Sequence, residues 1–286
     1  MLFLDKFTLY VSYFFFYSFI GWILECIWCS TSETRKAKKF KFVNRGFLMG
    51  PLCPIYGCSA VAMSFFLQPF SHNFLIVLFL GILVCDTIEY LTSYIMEKIF
   101  NARWWDYSQR FMNLHGRICL QHTCIWGLLS LAFIYIINPF STNIILSLSG
   151  QHTKPLIYTL LVLFAVDFFI AVVVTMDIKM LRKKIRLVYY PSEADEKIEV
   201  VEIGSSGNNN VFYRLNDFKA KMESLSKIRR RMIRRVFRSV PRLKAQVKRQ
   251  FEDMKSIPTD FKAEVKDEMK ELQTDVKNLF GFDSND

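Results

Sequence analysis

The chain has no Gly-x-x-x-x-Gly-Lys-[Ser/Thr] phosphate loop, which excludes a P-loop ATPase within its 286 residues. It also lacks the His-Glu-x-x-His zinc motif and the Gly-x-Ser-x-Gly nucleophile turn, so nothing marks it as an enzyme and no cofactor is expected. Histidine is scarce. His72, His115, His122 and His152 are scattered, a pattern that suits solvated or interfacial positions better than metal binding. The cysteines number seven, an odd count, and all lie in or beside apolar stretches, which argues against a secreted disulfide framework. Cys26-x-x-Cys29 has no second pair to complete a metal set, and all seven read as small buried hydrophobes. The N-terminus has no cluster of positive charge, and its apolar run exceeds a signal-peptide core. A retained transmembrane helix is therefore expected there.

What the chain has in abundance is apolar and aromatic surface, 52% and 16% of its residues. The apolar residues concentrate before position 178, and the remainder is strongly charged. Against the ~20 residues that cross a bilayer as a helix, five spans are predicted, at 7–29, 46–67, 74–97, 118–137 and 156–178. The fourth is expected to stop at Asn138-Pro139. Basic residues crowd the first loop (Arg35, Lys36, Lys38, Lys39, Lys41, Arg45), the third (Lys98, Arg103, Arg110, Arg117) and the segment after span five. The intervening loops carry a single lysine. The positive-inside rule then predicts an outside N-terminus and a cytoplasmic C-terminus, the arrangement that five spans require. The fold class expected is an all-α membrane protein, with a five-span domain over residues 1–188. A linker or small hairpin follows at 189–213, and a charged amphipathic helical tail, packed as a coiled coil or on a partner, at 214–286.

The second span is the least regular. Asn44, Gly46, Gly50, Pro51, Pro54, Tyr56 and Gly57 fall in one short stretch behind the cation Arg45. Two readings fit: a broken segment whose backbone faces protein or a wet cavity, and a late-starting helix whose glycines admit a close neighbour. Its placement after a basic loop, at the depth of Glu25, favours a shaped, buried segment.

Ionisable residues within spans are costly and so point to pathways or to structural ion pairs. They are Glu25, Asp86, Glu89 and Asp167. Asp86, Glu89, Ser93 and Glu97 share one helical face, as do Tyr17, Gly21 and Glu25. A network of Glu25 and Glu89 with Arg45 and Arg117 is expected at the cytoplasmic end. Asp86 and Asp167 are expected nearer the midplane, in a pathway or protonated and hydrogen-bonded. Trp104, Trp105, Asp106 and Tyr107 in the third loop read as an interfacial anchor or as a docking segment for a partner.

In the tail, residues 227–249, from Lys227 to Arg249, contain many Lys and Arg and no acid, an excess as large as the whole chain's +11. Anionic lipid, the acidic stretch 252–286 and plain solvent are the candidate partners. Nucleic acid is disfavoured, because no aromatic interleaving or fold signature accompanies the charge.

Several separated motifs occur in a familiar order: Tyr17-Ser-Phe-Ile-Gly-Trp-Ile-Leu-Glu25, Phe42-Val-Asn-Arg-Gly-Phe-Leu-Met-Gly-Pro51, Cys53-Pro-Ile-Tyr-Gly57, Trp105-Asp-Tyr-Ser108 and Asn113-Leu-His-Gly-Arg-Ile-Cys119. Residues 10–178 thereby resemble the type IV family of ABC-transporter permeases, bacterial integral membrane proteins. The resemblance implies a five-span bacterial inner-membrane transport component, surrounded by membrane lipids. If ATP powers it, a separate ATP-binding subunit is expected to dock on the cytoplasmic loops. It carries no residue roles. An oligomer is compatible with this reading. A membrane-anchored scaffold or regulator acting through its tail is the second reading, and a lipid-modifying enzyme using Asp or Glu is the third.

Overall fold

A computed structural model of the chain describes residues 5–38, 40, 42–189, 220, 225, 227–239, 270, 274, 276, 277 and 279. In order it forms α1 (Lys6–Ala37), α2 (Pro54–Phe66), a 3-10 turn (Gln68–Phe70) and α3 (Phe74–Phe100). A small hairpin of β1 (Asn113–Leu114) and β2 (Ile118–Cys119) leads into α4 (Leu120–Ala132). A π-helical turn (Phe133–Ile137), α5 (Asn138–Leu148), α6 (Thr153–Tyr189) and α7 (Lys227–Ser239) complete the described elements. The expected hairpin at 198–215, the second tail helix beyond Pro258 and the coiled-coil pairing lie outside the described residues.

Among the described residues, four helical stretches are long and apolar enough to cross a membrane: Lys6–Ser32, Phe74–Phe100, Leu120–Leu148 and Thr153–Leu181. Their outward faces are apolar, with Phe7, Leu24, Phe79, Leu83, Leu128, Ile136 and Phe169 all exposed. Such a surface suits hydrocarbon rather than water. Each start has a local cause. Asp5 caps α1 by accepting the Thr8 N–H at 2.7 Å, and Asn73 caps α3 through the N–H groups of Leu75 and Ile76.

The second predicted span is not a membrane-length helix. α2 has 13 residues, about 20 Å at the helical rise, against about 30 Å of hydrocarbon. Residues 46–53 ahead of it are irregular. Gly46 sits at φ 142°, open to glycine but not to other residues, and Pro51 and Pro54 bracket the end of the stretch. Pro54 itself starts α2, where its missing N–H costs nothing.

The irregular segment and the short helix together run antiparallel along α1. The Val43 N–H donates to Ser30 Oγ at 2.9 Å, the Arg45 N–H to Cys26 Sγ at 3.3 Å and the Cys53 N–H to the Ser18 carbonyl at 2.9 Å. Further along, Gly57 packs on Phe14 and Ser18, and the Phe65 ring meets that of Tyr10 at 6.3 Å. From Ser30 to Tyr10 is about 30 Å of helix. The late-helix and broken-segment readings are therefore both parts of one discontinuous element.

Span four also departs from expectation, because the helix does not stop at Asn138-Pro139. The Asn138 N–H reaches back to Phe133 O through the π turn, and this wider turn absorbs the proline that a regular α-helix rejects. The helix continues to Leu148. Asn138 then turns inward, where its Oδ1 accepts from Tyr17 Oη at 3.3 Å and Ser64 Oγ at 3.5 Å. Around this point Tyr13, Tyr17, Met63, Leu67, Val77, Leu131, Phe133 and Ile145 form the core. Close helix approach depends on small residues: Gly81 of α3 lies against Ser130 of α4, and Gly127 of α4 against Ile82 of α3.

The chain divides into two compact units, Met1–Ala171 and Val172–Asp286. The second buries Val174, Thr175, Asp177, Ile178 and Leu181 of α6, and Leu225, Ile233, Val236, Val276 and Leu279 from the tail. α7 is amphipathic, with arginines around the buried Ile233 and Val236. The basic block continues beyond it to Arg249, outside the described residues.

The cysteines are all free and differ in setting. Cys26, Cys53, Cys85 and Cys119 are buried and Cys29 half-buried, but Cys58 and Cys124 are exposed on apolar faces, a correction to the uniform burial expected.

Candidate functional site

A cleft of about 840 Å³ opens in the first unit between the second half of α1, the middle of α3 and the first turns of α2 and α4. Its lining includes Glu25, Trp28 and Cys29 from α1, Arg45 from the irregular segment, Tyr56 and Ser59 from α2 and Glu89 from α3. Trp105, Asp106, Tyr107 and Arg110 come from the loop before the hairpin, and His122 and Trp126 from α4. Helical spacing explains the convergence: Glu25 and Cys29, Cys85 and Glu89, and His122 and Trp126 are each four residues apart, on one face of a helix.

Glu25 accepts the Tyr56 hydroxyl at 2.9 Å and lies 3.7 Å from Arg45 Nε. Glu89 is buried and accepts from two neutral donors, the Tyr107 hydroxyl at 3.1 Å and the Trp126 indole N–H at 2.7 Å. The Tyr56 and Trp126 rings meet edge to face at 6.4 Å, so adjoining rings connect the two carboxylates. Asp86, nearly one turn before Glu89, accepts the Thr123 hydroxyl at 2.6 Å through one oxygen. Its other oxygen is buried with no hydrogen-bond donor. Burial and the neighbouring Glu89 carboxylate both raise the pKa of Tyr107, keeping its proton in place as the donor.

The expected four-residue network separates into two parts. Glu25 and Arg45 do pair, but Arg117 turns to Glu97, donating from Nη2 at 2.7 Å, with its guanidinium over the rings of Tyr90 and Tyr94 at 5.2 and 5.4 Å. Arg103 joins the same glutamate at 2.8 Å. Glu97 lies two turns beyond Glu89, close to the hairpin that carries Arg117, and this decides the partner.

Asp167 stands apart from the cleft lining. Its two oxygens accept the backbone N–H groups of Met49 and Gly50 at 2.9 and 2.8 Å. It thereby satisfies donors that the irregular stretch leaves without helical partners. Asn44 holds the start of that stretch by accepting the Trp22 indole N–H at 2.9 Å.

The third loop is turned inward. Trp104 is buried against Phe47 and Phe100, Trp105 donates to the Arg117 carbonyl at 3.1 Å, and Tyr107 reaches Glu89. Asp106 receives the Ser108 hydroxyl and lies 3.9 Å from Arg103. Gly116, at φ 68°, closes the hairpin, and a side chain there would strike Asp106 and Ser108. The exposed apolar residues of this region are instead Phe111, Met112 and Leu114.

Sequence reasoning did not single out Trp126, Thr123 or the contacts of His122. The His122 ring stacks on Tyr107 at 4.2 Å, and its Nδ1 lies 3.1 Å from Cys119 Sγ. Asp177, at 2% exposure in the second unit, is a further acid within the fifth predicted span. Among the described residues no group of three or more His, Cys, Asp or Glu is placed to hold a metal ion.

Comparison with curated proteins found no match, and neither did comparison with solved structures. The sequence family described as "Putative ABC-transporter type IV" matches residues 12–172. That match takes in the broken segment, the whole cleft lining and Asp167, and extends over more than half of the chain. The chain belongs to this family of ABC-transporter-like membrane proteins.

Proposed function

We propose that the chain is the permease-like, membrane-embedded subunit of a transporter, with the carboxylate-bearing cleft as the substrate-facing part of its pathway. The observation that carries this reading is the pair of carboxylates, Glu25 and Glu89, on facing walls of one cleft beside a discontinuous segment. Charged groups at such depth are costly unless used. The segment from Val43 to Phe66 acts as a fifth crossing, half irregular and half helical. With the basic loops inside, the N-terminus is outside, the cleft faces the cytoplasmic leaflet, and the setting is a bacterial inner membrane. The role is not enzymatic. A separate ATP-binding subunit supplies energy, because the chain has no phosphate loop. It docks on the loop that follows α3, where Phe111, Met112 and Leu114 are exposed around the inward-turned Trp104–Tyr107 stretch.

The test is affinity purification in mild detergent with identification of co-purifying chains, alongside flux measurements in a deletion strain. An ATP-binding protein should co-purify, and removal of residues 108–115 should release it. Recovery of no such protein, together with unchanged flux on deletion, would sink the proposal.

A second reading, a lipid-bound regulator, is favoured by α7 alone, whose arginines surround a narrow apolar stripe. Truncation after residue 189 separates the two: loss of function with the membrane unit still folded supports the regulator.

A further inference from the structure

We propose that the cleft binds an amphiphilic organic cation, an ammonium or similar soft centre flanked by apolar groups; as a transport substrate it rests on the permease reading above. Glu89 is the central observation. It is 5% exposed, and both of its oxygens are held by neutral donors, Tyr107 and Trp126. Three of the guanidinium groups around it have other carboxylate partners: Arg45 pairs with Glu25, and Arg103 and Arg117 pair with Glu97, while the fourth, Arg110, lines the cleft from the exposed loop and makes no ion pair with Glu89. A buried carboxylate without a cation carries a desolvation cost that a bound cation removes.

The walls select the kind of cation. Trp28, Tyr56, Trp105, Tyr107 and Trp126 line the cleft, and aromatic faces attract weakly hydrated cations such as ammonium and phosphonium centres. A small hydrated metal ion needs a cage of oxygen ligands, whereas the Glu89 oxygens already face an indole and a phenol. A volume of about 840 Å³ is that of a site for a sizeable organic molecule. The rim is apolar: Leu24, Ile27 and Trp28 of α1 and Ile125 of α4 are 55, 59, 75 and 49% exposed. A ligand entering between α1 and α4 would keep apolar groups in this rim while its charge reaches the acids.

The experiment uses the full chain in maltoside micelles, equilibrium dialysis and two probes of equal size and opposite charge, tetraphenylphosphonium and tetraphenylborate. Binding is corrected with empty micelles. The phosphonium should bind saturably, the borate should not compete, and Glu89→Gln should weaken phosphonium binding at least tenfold while Lys154→Ala leaves it unchanged. Equal binding of both probes, or a folded E89Q chain that binds as the wild type does, would overturn the proposal. Should E89Q fail to fold, the unmodified chain decides. Cys29 lines the cleft, and phosphonium should slow its alkylation severalfold while leaving the exposed Cys124 unaffected. Unslowed alkylation of Cys29 overturns the proposal. Displacement of phosphonium by added phosphatidylethanolamine would assign the ligand to lipid headgroups, and lack of displacement to a soluble cation. None of these measurements requires an ATP-binding partner or flux, so their failure leaves the permease reading to its own test.

Discussion

Asp167 on α6 holds the backbone of Gly50 from across the first unit: the Gly50 N–H donates to Asp167 Oδ2 at 2.8 Å, and the Met49 N–H to Oδ1 at 2.9 Å. A single carboxylate thus caps two donors of a segment that has no helix of its own. This contact explains how irregular backbone persists beside four apolar helices, since the donors face a protein anion rather than hydrocarbon. Asp167→Asn keeps one acceptor but sets an amide N–H₂ against a backbone N–H. We expect a loss of stability of roughly 1.5–3 kcal/mol, as for hydrogen bonds to charged groups. Thermal unfolding in detergent measures it. Asp167→Ala should cost more, and a variant as stable as the wild type would show that the clamp contributes nothing.

Gly57 and Gly150 differ in what a methyl group would meet. At Gly57 an added Cβ would run into the Ser18 hydroxyl and the Phe14 carbonyl of α1, and the carbonyl is backbone that cannot step aside. At Gly150 nothing lies within 4 Å. Gly57→Ala should therefore cost about 1–3 kcal/mol or more by overpacking, and Gly150→Ala should stay within about 0.5 kcal/mol of the wild type. Unfolding midpoints of the two variants, measured side by side, check this. Similar midpoints would mean that α1 and α2 are not in the close contact described.

Arg117 combines a 2.7 Å hydrogen bond to Glu97 with placement over the Tyr90 and Tyr94 rings. A lysine keeps the charge but not the flat fork that makes both contacts at once. We expect Arg117→Lys to destabilise by about 1–2 kcal/mol, from the stacking and the lost geometry. The loop at 101–119 should then be cut faster by protease, while cleavage elsewhere is unchanged. An unchanged cleavage pattern would argue against Arg117 as the loop's anchor.

Asp5 gives a pH dependence whose sign can be worked out. Its hydrogen bonds to Thr8, together with Lys154 at 3.2 Å, lower its pKa from the ordinary 3.8 to about 2. A depressed carboxylate contributes stability that is fully present above the unfolded value and is lost as pH falls through the folded one. The difference in stability between wild type and Asp5→Ala should hold from pH 7 to about 4 and shrink as pH falls towards 2. Unfolding midpoints across that range measure it. A difference that disappears already at pH 5 would contradict the assignment.

The positions of four helices long and apolar enough to cross a membrane, the irregularity around Asn44–Gly57 and the costly acids within spans were legible in the sequence. These depend on local properties: apolar run length, proline's missing N–H and the price of charge in hydrocarbon. Pair identities were not legible. Arg117 chose Glu97 over Glu89 because the hairpin brings it to the end of α3, and Asp167 served backbone donors far away in sequence. Asn138-Pro139 read as a stop, yet one π turn allowed the helix to continue, with Asn138 hydrogen-bonded by Tyr17 and Ser64 from neighbouring helices. Trp104 and Tyr107 read as interfacial aromatics, yet packing against Phe47 and a bond to Glu89 drew them inward. The sequence alone determined which segments seek hydrocarbon, because transfer of a side chain from water depends on its own chemistry. The tertiary structure decided which polar groups meet, because a hydrogen bond requires two distant residues to arrive at one place.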